Sequence, residues 1–103
     1  MAEQDLYTTE EMALLKADLG YLTPAAAVET YMGHLLNAAC RELAAKGIEL
    51  DHTDSGDSLL VVMYAAWLYR KRDSSAAMGR MLEYSLRNRI IRSVTGAAEE
   101  AEA

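Results

Sequence analysis

The longest apolar run of the chain lies in its second half and predicts a central helix. Eleven apolar or aromatic residues follow one another from Leu59 to Tyr69, and three cations, Arg70, Lys71 and Arg72, close the run. A helix that is apolar on every side must be covered on every side, by the rest of its domain, by other subunits or by both. The run is too short to span a bilayer, which takes about 20 mostly apolar residues. We therefore expect Leu59–Arg72 to be a core or assembly helix.

A capping signal predicts a short helix near the start of the chain. Thr8 and Glu11 have the Thr-x-x-Glu spacing of a capping box, in which each side chain accepts a hydrogen bond from the other residue's backbone N-H. The helix should run from about Thr9 to Leu19, with Gly20 as its left-handed stop. Its apolar positions are Met12, Leu15 and Leu19.

A second helix should begin at Thr23 and Pro24, with Thr23 as the N-cap and Pro24 at the first helical position. Apolar residues then recur at intervals of three and four, which is the period of an amphipathic helix, and the helix should end at Gly47. The residues of this apolar face are Val28, Tyr31, Met32, Leu35, Leu36, Ala39, Cys40 and Leu43.

The second half should add the central helix and one more. Residues 48–56 have the turn formers and acids of a loop, and Asp54 or Ser55 can cap a helix from about Gly56 to Arg72. Residues 73–75 then break that helix and can cap a fourth, from about Ala76 to Ser93. The expected fold is all-α, a small bundle of about four helices. Residues 1–95 should form one domain, and the acidic segment 96–103 should be disordered in isolation.

The fourth helix carries more apolar surface than an isolated bundle requires. One row should face the core: Met78, Met81, Leu82, Leu86 and Ile90. A second, narrower row, Ala77, Tyr84 and Ile91, lies outside it. The second row hints at contact with another chain, although packing within one core is the alternative.

Charge is distributed unevenly along the chain. The net charge is -6, yet residues 70–92 hold seven cations against two acids, while the remainder holds three cations against fourteen acids. A basic segment on an acidic body can attract copies of the same protein, and the alternative is a basic helix face turned to solvent. Cys40 is the single cysteine, so no intramolecular disulfide can form and a reducing, cytoplasmic setting is expected. The acidic N-terminus does not resemble a signal peptide.

Chemical signatures are weak. Residues 51–62 resemble a calcium loop at the first and sixth positions, but Val62 stands where a bidentate Glu is needed, so a helix-capping acidic loop is the better interpretation. His34 and His52 lack the neighbours of a zinc site, and Cys40 should be a buried thiol. With no phosphate loop and no evident acid-base pair, we predict no enzyme, no metal and no cofactor.

The aromatic residues of the central run admit two interpretations. Tyr64, Trp67 and Tyr69 stand beside the cations 70–72 and could form a stacking platform for single-stranded nucleic acid. Tyr64 and Trp67 share a helix face, however, and the surrounding residues require burial of that helix. We therefore favour core or interface anchors.

Three segments together resemble a known family. They are LLKADLGY (Leu14–Tyr21), GIELDHTDSGDSLLVVMYAAWLYRKR (Gly47–Arg72) and MLEYSLRNRII (Met81–Ile91). In order and spacing they are similar to the small head-tail connector or adaptor proteins of tailed bacteriophages and prophages. The similarity covers roughly Met12 to Arg92, and the run YAAWLYRKR followed by a Met-Leu-x-Tyr helix is its most telling part.

The resemblance implies a structural protein without enzymatic activity that assembles into a ring, commonly a dodecamer. The ring docks beneath the portal and extends the DNA channel toward the tail. Implied partners are copies of the chain itself, the portal protein and a tail-proximal connector or stopper protein, with DNA passing through without specific binding and no membrane. The implied location is the head-tail interface of the virion, after assembly in the cytoplasm of the bacterial host. Ser93–Ala103 becomes a candidate for portal contact.

Candidate residues for subunit or portal contacts are the aromatic, apolar and cationic positions of the last two helices: Tyr64, Trp67, Arg70, Lys71, Arg72, Tyr84, Arg87, Arg89, Ile91 and Arg92. The alternative function is a small helical nucleic-acid-binding or regulatory module that uses the basic C-terminal helix, through Arg80, Arg87, Arg89 and Arg92.

Overall fold

The computed structural model describes residues 5–71 and 77–102, with side chains described as far as residue 94. All regular structure in these residues is helical, which confirms the predicted all-α bundle of four helices. The helices are α1 (Thr9–Leu19), α2 (Ala26–Ala45), α3 (Ser55–Lys71) and α4 (Arg80–Glu102).

The beginning and the end of α1 are as predicted. The Thr8 N-H donates to Glu11 Oε1 at 2.9 Å, and the Glu11 N-H donates to Thr8 Oγ1 at 3.1 Å. These two bonds form the capping box. Gly20 ends the helix with φ at 81°, a conformation that is costly for a residue with a Cβ atom.

The predicted start of α2 is wrong by two residues. Its N-cap is Ala25, which is extended with ψ at 154° and makes no side-chain capping bond, and Thr23 and Pro24 lie before the helix. Local signals of this kind are worth only about 1 kcal/mol, so they do not by themselves decide where a helix begins. At the other end the helix stops at Ala45, and Gly47 turns the chain with φ at 88°.

The predicted central helix is confirmed as α3, against which the other three helices pack. The Asp57 N-H donates to Asp54 Oδ2 at 3.0 Å, so Asp54 is the capping side chain. Most of the apolar run is buried, including Val61, Tyr64 and Ala65, although Leu59 is half exposed. Arg72 lies outside the described residues. Within those residues no helix has the length and hydropathy needed to cross a membrane.

The limits predicted for α4 need correction at both ends. Residues 77–79 are not helical and the helix begins at Arg80; the caps predicted at 73–75 lie outside the described residues. The helix continues past Ser93 to Glu102, because the alanines and glutamates of that segment are strong helix formers. The disorder predicted for residues 96–103 of the isolated chain stays a prediction.

The core joins all four helices. Its fully buried side chains include Leu15, Met32, Leu36, Leu43 and Val61. Leu82 and Leu86 bring α4 onto the same cluster. Cys40 is buried as expected, and burial, with the nearby charge of Glu11, raises the pKa of its thiol to about 11. Such a thiol stays protonated and unreactive at neutral pH.

Candidate assembly surface

α4 presents an apolar row on the side opposite its contact with α3. Tyr84, Ile91 and Val94 are 66%, 57% and 66% exposed, whereas Leu82 and Leu86 are buried. At 3.6 residues per turn, Tyr84 and Ile91 lie about half a turn away from the buried pair, and Val94 lies about 100° away from it. The second row predicted from the sequence is therefore exposed, and Ala77 is exposed with it.

One residue of the predicted core row belongs outside the core. Met81 is 74% exposed, and its neighbour Leu82 occupies the buried position instead. The reason is geometric: Leu82, Leu86 and Ile90 follow one another at intervals of four and face α3. Met81 lies about 100° around the helix from Leu82 and farther from the other two.

Five of the exposed positions of α4 follow the repeat of a helix-packing seam. We call these residues the α4 stripe: Arg80, Tyr84, Arg87, Ile91 and Val94. They are separated by four, three, four and three residues. This alternation keeps side chains on one side of a helix and is the spacing with which paired helices interlock. The α4 stripe therefore has the pattern of a surface that receives a second helix.

A buried ion pair fastens α4 to the rest of the molecule. Arg89 donates from Nε to Asp57 Oδ1 at 2.7 Å and from Nη2 to Asp57 Oδ2 at 3.1 Å. Arg89 Nη2 also donates to the Glu49 carbonyl at 2.7 Å. The two side chains are only 13% and 3% exposed. This two-pronged contact fixes the orientation of α4, because a planar guanidinium binds a carboxylate in one geometry.

Surrounding donors hold Asp57 in its charged form. Burial alone would raise the pKa of Asp57, but the hydrogen bonds from Arg89 and from the Asp51 N-H, together with the charges of Arg89 and Arg92, lower it below its ordinary value. The same contacts raise the pKa of Arg89. The pair is therefore fully ionised at neutral pH.

The candidate interface residues of α3 divide into buried and exposed sets. Tyr64 is buried and donates to Glu42 Oε1 at 3.0 Å, so it belongs to the core. Burial and the Glu42 carboxylate raise the pKa of Tyr64 to about 12. Trp67 is half-buried and meets Tyr64 edge to face, with ring centroids 5.4 Å apart. Lys71 lies over the Trp67 ring at 4.2 Å, and Arg70 forms an exposed ion pair with Asp18.

The candidate residues of α4 divide in the same way. Tyr84 and Ile91 belong to the α4 stripe, as does Arg87, which pairs with Glu83 at 3.5 Å on the helix surface. Arg89 is largely buried, because Asp57 holds it against the body of the protein. Arg92 is exposed, and its Nη2 lies 3.4 Å from Asp57 Oδ1. The cations of α4 thus do not form one continuous basic patch.

Two open clefts lie along the contact between α3 and α4, and Met63 lines both of them. The larger, about 410 Å³, is lined by Met63, Trp67, Arg70, Met81 and Asp18, among others. The smaller, about 260 Å³, is lined by Leu59, Met63 and Tyr84 together with the ion pair of Asp57. The exposed surface of α4 is therefore continuous with partly apolar surface of α3.

The acidic loop before α3 uses its carboxylates to build the loop itself. Asp51 accepts hydrogen bonds from the N-H and the hydroxyl of Thr53. Asp54 caps α3, and Asp57 binds Arg89. Among the described residues, no three His, Cys, Asp or Glu side chains are grouped so that they could hold a metal ion.

Two buried carboxylates are structural features that the sequence analysis did not find. Glu11 is fully buried, and besides capping α1 it binds His52 Nδ1 through Oε2 at 2.6 Å. From the sequence, Asp57 belongs only to the acidic stretch of residues 51–62. The partners lie 41 and 32 residues away in the chain, so no local pattern connects them.

No protein-family model, curated protein or solved structure matches this chain. The function is therefore argued from the α4 stripe, from the way α4 is held, and from the sequence resemblance described above.

Proposed function

We propose that the chain is a structural subunit of the head-tail connector of a tailed bacteriophage or prophage. Copies of it form a ring that docks on the portal and extends the DNA channel toward the tail. The observation that carries this proposal is the α4 stripe, an exposed and regularly spaced helix surface on the side away from the core. A subunit that works by assembly needs such a surface, whereas a helix of an isolated bundle turns polar residues to solvent.

The way α4 is held supports a role in assembly. The buried pair of Asp57 and Arg89 fixes the helix against α3, so the α4 stripe is presented by a rigid support. A surface that is already ordered loses less conformational entropy when it binds than one that must first fold. The contact with a neighbour can then be strong enough to hold a ring together.

Charge supports the proposed place of the protein along a DNA channel. The chain has a net charge of -6, and a ring of many copies multiplies that charge. DNA carries two negative charges per base pair, so an acidic channel repels the duplex and lets it slide. In this proposal the protein is a structural component with no enzymatic activity and no cofactor.

Electron microscopy of the protein with purified portal rings tests the proposal. We expect closed rings of the chain on one end of the portal, at micromolar protein concentration and moderate salt. A protein that forms no rings and leaves the portal bare under all salt conditions would contradict the proposal. Salt-dependent retention of DNA by the isolated protein would instead favour the nucleic-acid-binding alternative.

A further inference from the structure

The chemistry of the α4 stripe specifies the kind of helix that can cover it. Arg80 and Arg87 lie in the same row as Tyr84, Ile91 and Val94. Each arginine is one helical turn away from Tyr84. Two α4 helices packed in parallel register would set each arginine against its own copy, which is unfavourable. A complementary helix must instead offer acids opposite the arginines and small or aliphatic residues opposite the apolar positions.

The outer face of α1 offers this combination. We call its exposed residues the α1 face: Glu10, Ala13, Leu14, Ala17 and Asp18. Glu10, Leu14 and Ala17 repeat the spacing of four and three residues that the α4 stripe has. The one cation of the helix, Lys16, points elsewhere, to Glu29 on α2 at 3.3 Å. The exposed side of α1 is therefore acidic and apolar, without a basic residue.

The charges of the two surfaces also match in spacing. At 1.5 Å per residue, Glu10 and Asp18 are about 12 Å apart along α1, and Arg80 and Arg87 are about 10 Å apart along α4. Asp18 already pairs with Arg70 in its own chain at 3.0 Å. Both partners of that pair are exposed, and an exposed pair of this kind contributes little and can exchange partners. Each arginine of the α4 stripe can thus meet one acid of the α1 face.

We infer that the α4 stripe of one copy packs against the α1 face of the next copy. This assignment rests on the proposed function, because it names the two surfaces that join neighbours in the ring. A ring requires a head-to-tail contact between two different surfaces of one chain, and α1 and α4 are different surfaces that pack separately on α3. The small alanines of the α1 face let the helices approach, with Tyr84 and Ile91 between them.

Charge reversal on each surface tests the inference. The α4 reversal is Arg80→Glu with Arg87→Glu, and the α1 reversal is Glu10→Lys with Asp18→Lys. Each variant alone sets like charges against each other, so the concentration of half-assembly should rise by at least about tenfold. Light scattering measures the assembly, and circular dichroism shows that the helices remain.

Mixing the two variants gives the decisive result. In an equimolar mixture the acidic α4 stripe of the α4 reversal faces the basic α1 face of the α1 reversal. The unchanged basic α4 stripe of the α1 reversal faces the unchanged acidic α1 face of the α4 reversal. The mixture should therefore regain assembly that neither variant shows alone. A control matched to the α4 reversal is Arg41→Glu with Lys46→Glu, which makes the same change of net charge at an exposed residue of α2 and at the exposed residue that follows the helix. This variant should assemble as the wild type does.

The outcomes separate this inference from the proposed function. If the wild type assembles and the α1 reversal assembles equally well, the assignment of the α1 face is wrong while the connector proposal stands. Rescue of the α4 reversal by wild-type protein rather than by the α1 reversal would indicate contact between two α4 helices. If the α4 reversal loses only portal binding, the portal covers the α4 stripe. A wild type that never assembles, with or without portal, overturns both proposals.

Discussion

Replacing Asp57 by alanine is expected to lower the free energy of unfolding by about 3 to 5 kcal/mol, because it leaves the buried Arg89 guanidinium without its counter-charge. The substitution also removes the acceptor of the Asp51 N-H, which donates to Asp57 Oδ2 at 2.9 Å. Urea denaturation followed by circular dichroism measures the change. Loss of the pair should loosen α4 first, since Leu82 and Leu86 are its only buried apolar side chains among those described.

The exposed pair of Asp18 and Arg70 provides a matched control. It joins the same two residue types at 3.0 Å, but its arginine and aspartate side chains are 58% and 45% exposed. Asp18→Ala should therefore change the free energy of unfolding by less than about 1 kcal/mol. If Asp57→Ala and Asp18→Ala had equal effects, the buried pair would not be what holds α4.

Acid titration provides an independent test of the ion pair between Asp57 and Arg89. The pKa of Asp57 is lower in the folded protein than its ordinary value of 3.8, so its charged form stabilises the fold. That contribution is fully present above the ordinary pKa and is lost as the pH falls from there through the lowered pKa. Unfolding midpoints measured from neutral pH down to this range should fall more steeply for the wild type than for Asp57→Ala. Parallel curves for the two proteins would contradict the assigned role.

Replacing Glu11 by alanine is expected to lower the free energy of unfolding by about 2 to 3 kcal/mol, since two sets of contacts disappear together. Glu11 Oε1 accepts from the Thr8 N-H as part of the capping box, and Oε2 binds His52, which joins α1 to the loop before α3. Thermal and urea unfolding measure the loss. Glu11→Gln keeps an acceptor for the cap and should lose less.

The adjacent residue supplies the control for this prediction. Glu10 is also in the first turn of α1 but is exposed, so within one copy Glu10→Ala removes a favourable interaction with the helix dipole, about 0.3 to 1 kcal/mol. An effect of Glu11→Ala as small as that of Glu10→Ala would show that burial of the carboxylate adds nothing to stability.

Helix positions could be predicted where the signals are local. The capping box of Thr8 and Glu11, the stop at Gly20 and the cap at Asp54 each depend on residues within four positions of one another, and all three are present. The predicted start of α2 is wrong because Thr23 and Pro24 favour a helix start only weakly. The predicted end of α4 at Ser93 is wrong because the alanines and glutamates that follow are strong helix formers.

The candidate assembly surface could be predicted in part. The outer row with Tyr84 and Ile91 follows from helix periodicity alone, and both residues are exposed. Arg89 could not be separated from Arg87 by sequence, because the difference between them is made by Asp57, which lies 32 residues away from Arg89 in the chain. Likewise, the sequence alone makes Tyr64 a candidate interface residue. In the structure Tyr64 is buried in the core and its hydroxyl donates to Glu42.

The central claim is that the α4 stripe joins copies of the chain, and the mass of the protein in solution tests it most directly. Light scattering at micromolar concentration should show a closed oligomer for the wild type and the 11.3 kDa monomer for Tyr84→Ser with Ile91→Ser. Leu22→Ser, at an exposed leucine outside the α4 stripe, should behave as the wild type does. An oligomer of unchanged mass in the Tyr84→Ser and Ile91→Ser variant, or a wild type that stays monomeric, would contradict the claim.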